Sequence, residues 1–246
     1  MPISILKPRF AATLALCIAA SLSAQQPKSS RWPAVQAQMD ASSARFQSAQ
    51  ADLRQEIFTK IPVQDTETRT GQIYFERKGS VTQMGMKLLP PEAKPGTPPL
   101  QIVEFKGGKL RSYDAGSNQI DSFPAAGKNQ STAEALMTLG FGGSGTGLAK
   151  SFAVTDQGQE QIDGVSVEKL DLVPRDQGIK NNFSHVTIWI DASRDVLLKQ
   201  IFYLASGGTT TGDTRTVYFT NIRLNQKFDE GLFAIVCKGK CTTVNH

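Results

Sequence analysis

The feature that most limits this chain is a two-residue alternation of apolar and polar positions, repeated along most of its length. Eleven stretches carry it, at 51–61, 70–77, 81–89, 100–105, 109–113, 119–123, 151–155, 166–173, 185–191, 196–204 and 214–224. They are rich in β-branched and aromatic residues, so each reads as a strand. Turn residues separate them: Lys78-Gly79, Gly107-Gly108, the run 115–118, Asp163-Gly164 and Ser193-Arg194. Strands joined by turns this tight lie antiparallel, not in βαβ units. The proline-rich run 90–99 is a loop, because proline has no donor for a strand ladder.

Helix signals are few. Trp32-Pro33 opens a helix that runs to about Phe46, with proline near the first helical position and Val35, Met39 and Phe46 on one face. A second short helix is expected at 131–139. One antiparallel sheet of about eleven strands must curl, and its concave face then needs a cover. Met84, Met86 and Leu88 share one side of their strand, as do Val186, Ile188 and Ile190. Val196, Leu198, Phe202 and Leu204 form a third row that Gln200 interrupts. The helices are too few to fill such a concavity. We therefore expect a pocket for an apolar ligand, with Met84, Met86, Leu88, Val186, Ile188, Ile190, Leu198 and Phe202 as its candidate lining. Methionines suit a lining that adapts to varied shapes.

The first 24 residues read as a secretory signal peptide: Lys7 and Arg9, an apolar run at 10–22 too short to span a bilayer, then small residues. A polar linker at 25–31 follows. One domain is expected over 32–236, with a tail at 237–246. The formal net charge of +5 becomes +3 without the signal, which carries two cations and no acid. About 220 residues remain, enough for one substantial core. No Lys/Arg cluster marks a nucleic-acid surface, so none is expected as a partner. Cys237 and Cys241 stand in the string CKGKC. A redox C-x-x-C has two intervening residues, not three, and zinc needs about four ligands, whereas His185 and His246 are the only histidines. In an oxidising compartment the two cysteines are expected to close a small disulfide loop. The alternatives are two free thiols or an unordered tail.

The stretch GFGGSGTGLAKS, 140–151, invites comparison with the phosphate loop G-x-x-x-x-G-K-[ST]. Gly142 and Gly147 have the spacing, but Leu148 stands where lysine is required and Lys150 comes two places late. The stretch also follows a helix rather than a strand. It reads as a flexible helix exit. No catalytic constellation emerges elsewhere. Gly142-Gly143-Ser144-Gly145-Thr146 fails the nucleophile-elbow pattern at its last position, and His185 starts a strand with no local partner. Asp52, Glu56, Glu104 and Asp171 sit singly in strand patterns, and Asp191 and Asp195 flank a turn where aspartate is at home. We expect neither an enzyme nor a cofactor or metal site.

Several strings, in order, resemble the LolA-type outer-membrane lipoprotein carriers of bacterial envelopes. They are FQSAQ at 46–50, TGQIYFER at 70–77, FKGGKLRSYD at 105–114 with Gln119 after it, LVPRD at 172–176, IWID at 188–191, GDTRTVYFTNI at 212–222 and FDEGLF at 228–233. The resemblance spans 39–235. Lys78 stands where the family usually has proline, Arg111 where its hairpin usually has tryptophan, and the cysteine ending is unlike the common one. The resemblance implies an unclosed half-barrel capped by an N-terminal helix and short lid helices. It also implies a monomeric, non-catalytic periplasmic carrier that shields the acyl chains of lipoproteins between an inner-membrane transporter and an outer-membrane acceptor. A lipid or glycolipid shuttle and an envelope-stress sensor domain are the alternatives on the same scaffold. The resemblance further makes Arg77 the residue that ties a lid to the rim through backbone carbonyls. The lid's apolar face would be Leu136, Met137, Leu139 and Phe141, and the glycines after it would permit its motion.

Overall fold

A computed structural model describes residues 30–79, 81–124 and 138–246. All the described strands belong to one sheet, which does not close into a barrel. In chain order they are β1 (Ser48–Thr59), β2 (Asp65–Lys78), β3 (Val81–Leu88), β4 (Gln101–Lys106), β5 (Lys109–Asp114), β6 (Gln119–Pro124), β7 (Phe152–Ile162), β8 (Val165–Pro174), β9 (Phe183–Asp191), β10 (Val196–Ser206), β11 (Thr209–Leu224) and β12 (Thr242–Asn245). The spatial order is β12-β6-β5-β4-β3-β2-β1-β11-β10-β9-β8-β7. The first eleven correspond to the expected strands, all paired antiparallel. β12 is a twelfth, paired parallel to β6, so the sheet is mixed. The last ten residues, expected as a tail, thus contribute an edge strand.

Three departures from simple alternation have local causes. β2 starts at Asp65, five residues earlier than the apolar pattern indicates. Its added length, Asp65–Arg69, is largely exposed and polar, and is held by β1 through pairs such as Thr59↔Asp65. β10 bulges between Leu197 and Lys199. Leu197 therefore takes the inward place across from Ile190, and Leu198 leaves the row in which alternation put it. β7 bulges between Asp156 and Gln159, at Gly158, whose φ is +92°.

Helix α1 (Trp32–Arg45) lies across the concave face. Pro33 sits at its first turn. In place of a side-chain cap, Arg31 is anchored to β8 by a Glu168 ion pair at 2.8 Å. Val35 and Met39 point inward and are buried, as is Phe46 just past the last turn. Beneath them the inward rows of the strands make one apolar cluster, including Leu53, Phe75, Met84, Leu88, Ile188 and Phe219. Burying each such side chain contributes about 1.5–3 kcal/mol, so the cluster is what orders the curled sheet.

The convex face has its own, smaller cover. Ile102, Tyr113 and Ile120 form a second cluster, against which Ile235, Cys237 and Cys241 pack. Cys237 and Cys241 are joined as a disulfide. The covering segment is fastened to the strands by hydrogen bonds: Ile235 N–H donates to Glu104 Oε2 at 3.0 Å, Lys238 N–H to Tyr113 Oη at 3.2 Å, and Asn118 Nδ2 to the Lys240 carbonyl at 3.0 Å.

Candidate functional site

The site forms where α1 ends, β2 ends and the glycine-rich stretch crosses the concave face. Residues 138–140 form a turn rather than the end of a helix, and the rest of the helix expected at 131–139 lies outside the described residues. So do two of the expected lid side chains, Leu136 and Met137. The other two are described and buried. Leu139 is 3% exposed and Phe141 1%. Phe141 stacks on Phe75 with ring centroids 4.6 Å apart and meets Phe219 edge-on at 5.2 Å. It also bridges to Val196 of β10. Aromatic pairs of this geometry add about 0.5–1.5 kcal/mol beyond area burial.

Gly142 is the node that holds this stretch down. Its carbonyl accepts from Arg77 Nη2 and, at 2.7 Å, from Ser43 Oγ. Arg77 Nη1 donates at 2.6 Å to the Ser43 carbonyl, so a single guanidinium ties the last turn of α1 to the stretch. The planar fork of arginine suits two carbonyls at once. The same side chain lies over the Phe46 ring, 5.4 Å from its centroid. On its other side, Gly142 N–H donates to Asp195 Oδ2 at 3.0 Å. Glycine is required at 142: φ is +89°, and a Cβ there would sit 2.3 Å from the Phe46 ring.

Asp195 is 1% exposed, and its Oδ1 has no hydrogen-bond partner among the described residues. Burial raises its carboxyl to about 7, against the opposing pull of the Gly142 N–H and the Arg77 charge. Ser43 and Asp195 were not singled out by sequence. Asp195 looks like an ordinary turn aspartate, and Ser43 like one of several small residues on α1. Each meets Gly142 from more than fifty positions away, which no local pattern encodes.

After the Gly142 node, helix α2 (Gly145–Ser151) begins at Ser144, whose hydroxyl accepts from Gly147 N–H at 3.0 Å. Helix α2 packs on α1 through Gly145, and Asp40 on α1 binds the Thr146 N–H at 3.0 Å. Between this stretch and the lip formed by β3 and the β4–β5 turn lies a cavity of about 500 Å³. That is within the size range of small-ligand sites. Met39, Phe105, Leu139 and Leu148 give it an apolar side, and Arg77 and Lys150 are the charged residues of its lining.

None of the eight expected lining residues borders this cavity. Met84, Leu88, Val186, Ile188 and Ile190 are buried in the main cluster, and Met86 and Phe202 pack against it. Leu198 is displaced by the β10 bulge and belongs to neither cluster. α1 and residues 139–148 lie on those inward rows, so with the cover in place the floor of the concavity is packed and the hollow is left at its lip.

His185 has Ser184 Oγ at 3.0 Å from Nδ1 and Asp171 Oδ1 at 3.9 Å from Nε2. Ser184 Oγ is also within reach of the Tyr203 carbonyl at 3.3 Å, and the imidazole stacks on Tyr203 at 4.0 Å. This places the three groups on an outer strand surface, away from the cavity. Among the described residues no group of three or more His, Cys, Asp or Glu is placed to hold a metal ion.

No family model matches the chain, and no curated protein matches it. Solved structures do. An uncharacterized conserved protein from Thermus thermophilus superposes on 87% of this chain and 98% of its own, with a TM-score of 0.51 at 12% identity. The fold is shared. A putative outer membrane lipoprotein-sorting protein domain from Vibrio parahaemolyticus matches more loosely, with a TM-score of 0.44 at 13% identity over 82% of this chain and 97% of that one. A LolA superfamily protein from Nitrosomonas europaea scores 0.39 at 12% identity, over 82% and 97%.

Proposed function

We propose that this chain is a periplasmic carrier of acyl chains, which takes up acylated lipoproteins, shields their chains beneath the α1–Gly142 cover and delivers them toward the outer membrane. One observation carries the reading. An apolar concave face is covered by α1 and the Gly142 stretch, and a single arginine at the end of β2 bonds one backbone carbonyl of each. Such a tie can be broken and remade without disturbing the core. A methylene withdrawn from water contributes about 0.8 kcal/mol, so an acyl chain binds readily to any opened apolar surface. The harder task is letting go, and a cover that competes for the same surface achieves it. The string resemblance, from FQSAQ to FDEGLF, supports the same reading, as does the signal-like leader for the location.

Native mass spectrometry of full-length protein purified from a membrane-containing lysate tests this. A co-purifying acylated protein is the expected result. A clean unliganded mass that takes up no added acyl probe overturns the proposal. A bound free lipid without protein moves the reading to a lipid shuttle.

A further inference from the structure

The glycine-rich stretch ends in Lys150-Ser151, the pair that makes it look like a phosphate loop. It lacks that loop's geometry, yet both residues line the cavity. Lys150 is exposed and forms no ion pair with a described carboxylate, and no aspartate or glutamate lines the cavity among the described residues. Ser151 is the more telling of the two. It is 94% buried, being 6% exposed. Its carbonyl is used by the Arg175 N–H at 2.9 Å. Its hydroxyl has no hydrogen-bond partner among the described residues. It is not sealed off either, since Asp195 Oδ1 is the one described side-chain atom both enclosed and unpartnered. A buried hydroxyl without a partner costs free energy unless something in the adjoining space accepts from it. The adjoining space is the cavity.

Met39, Phe105, Leu139 and Leu148 supply apolar lining, and Arg77 is the other cation on it. The cavity therefore offers an ammonium and a hydroxyl together with hydrocarbon. That combination matches a molecule with an anionic head and one apolar chain. Resting on the carrier reading, we propose that the cavity takes a single-chain anionic amphiphile. Its chain lies against Met39, Phe105, Leu139 and Leu148, and its carboxylate or phosphate sits at Lys150 and Ser151. The head accepts from the hydroxyl and pairs with the ammonium, contacts that a neutral head of the same length cannot make.

The test uses the full-length protein loaded with N-phenylnaphthylamine, a neutral dye that fluoresces in apolar surroundings. Palmitate, palmitoyl lysophosphatidate and palmityl alcohol are titrated in as competitors. The expected result is that one or both anions displace the dye about tenfold more tightly than the alcohol, with the advantage shrinking in high salt. Palmitate alone winning marks a carboxylate head as the natural one. Lysophosphatidate alone winning marks a phosphate. In Lys150→Gln the ratio of anion to alcohol affinity falls toward one, and Ser151→Ala lowers it by a smaller factor. Circular-dichroism melts verify that each variant folds. Equal affinity of alcohol and anions overturns the head-group site and leaves the carrier reading intact. An unchanged ratio in Lys150→Gln does the same. Failure of the dye and every chain to bind overturns the carrier reading itself.

Discussion

Both faces of the sheet are covered, and the two covers are held by different chemistry. On the concave side, α1 and the Gly142 stretch lie on a broad apolar floor. They are joined to each other and to the rim by Arg77, Ser43 and Asp195 around one residue. On the convex side, the C-terminal segment covers only a small cluster. It is nevertheless fixed by a disulfide, by hydrogen bonds spread over Glu104, Tyr113 and Asn118, and by a strand pairing at its end. On the concave side the ties of the glycine-rich stretch converge on Gly142, whereas α1 is also held at Glu168, Asp156 and the Ser193 carbonyl. On the convex side the ties are spread along the segment and include a covalent link. The difference teaches where a single substitution can probe a cover.

The strongest way to break this contrast is at the node itself. In Gly142→Ala the new Cβ meets the Phe46 ring at a φ of +89°, and the closed stretch should lose about 2–4 kcal/mol. Hydrogen exchange at residues 139–148 should rise steeply while that of β8 and β9 stays slow. Equal loss of protection throughout would show that the cover and the core are one unit. The matching test on the convex side is Cys237→Ser with Cys241→Ser. Removing a link across so short a loop should cost about 2 kcal/mol, seen as fraying of β12 and β6 and a lower melting temperature. Dye uptake by the cavity should be unaltered, because this segment touches the opposite face. Third comes Arg77→Leu, which removes both carbonyl contacts but leaves Ser43 and Asp195 on Gly142. A destabilisation of the closed stretch by about 1–2 kcal/mol is expected, read as faster acyl exchange at nearly unchanged global stability. A variant that merely unfolds would refute the role of Arg77 as a removable tie.

The smallest effect is pH dependence. Asp195 titrates near 7 in the closed form and in the ordinary carboxylate range once exposed. Between about pH 4 and 7 the closed form therefore holds a proton that the open form has released, and its stability falls as pH rises through that window. Opening should be easier at pH 7 than at pH 6 by on the order of 1 kcal/mol. Asp195→Asn should flatten the profile in the same hydrogen-exchange measurement.

Much of the sheet is legible in the sequence, because one face of most strands is apolar and alternation reports it directly. β12 is not, since Thr242–Asn245 is short, largely exposed and paired to a distant strand in parallel. The early part of β2 escapes for a related reason: both of its faces are polar. The site is harder to read than the fold. Leu139 and Phe141 are apolar and recognisable as a packing face, and Arg77 follows from the string resemblance. Ser43 and Asp195 take their meaning from Gly142, which the chain brings to them only after folding. For most of the eight residues read as a lining, alternation identifies the inward face, whereas the cover lying on that face is set by tertiary contact.

An unclosed sheet also has two margins where further chains could add, and these margins are treated unequally. β12 presents only four residues. β7 is eleven residues long, but it is interrupted at Gly158 and largely exposed and polar, and Asp156 is engaged by the Arg31 N–H. A short margin and an interrupted, polar one are both poor templates for a further strand.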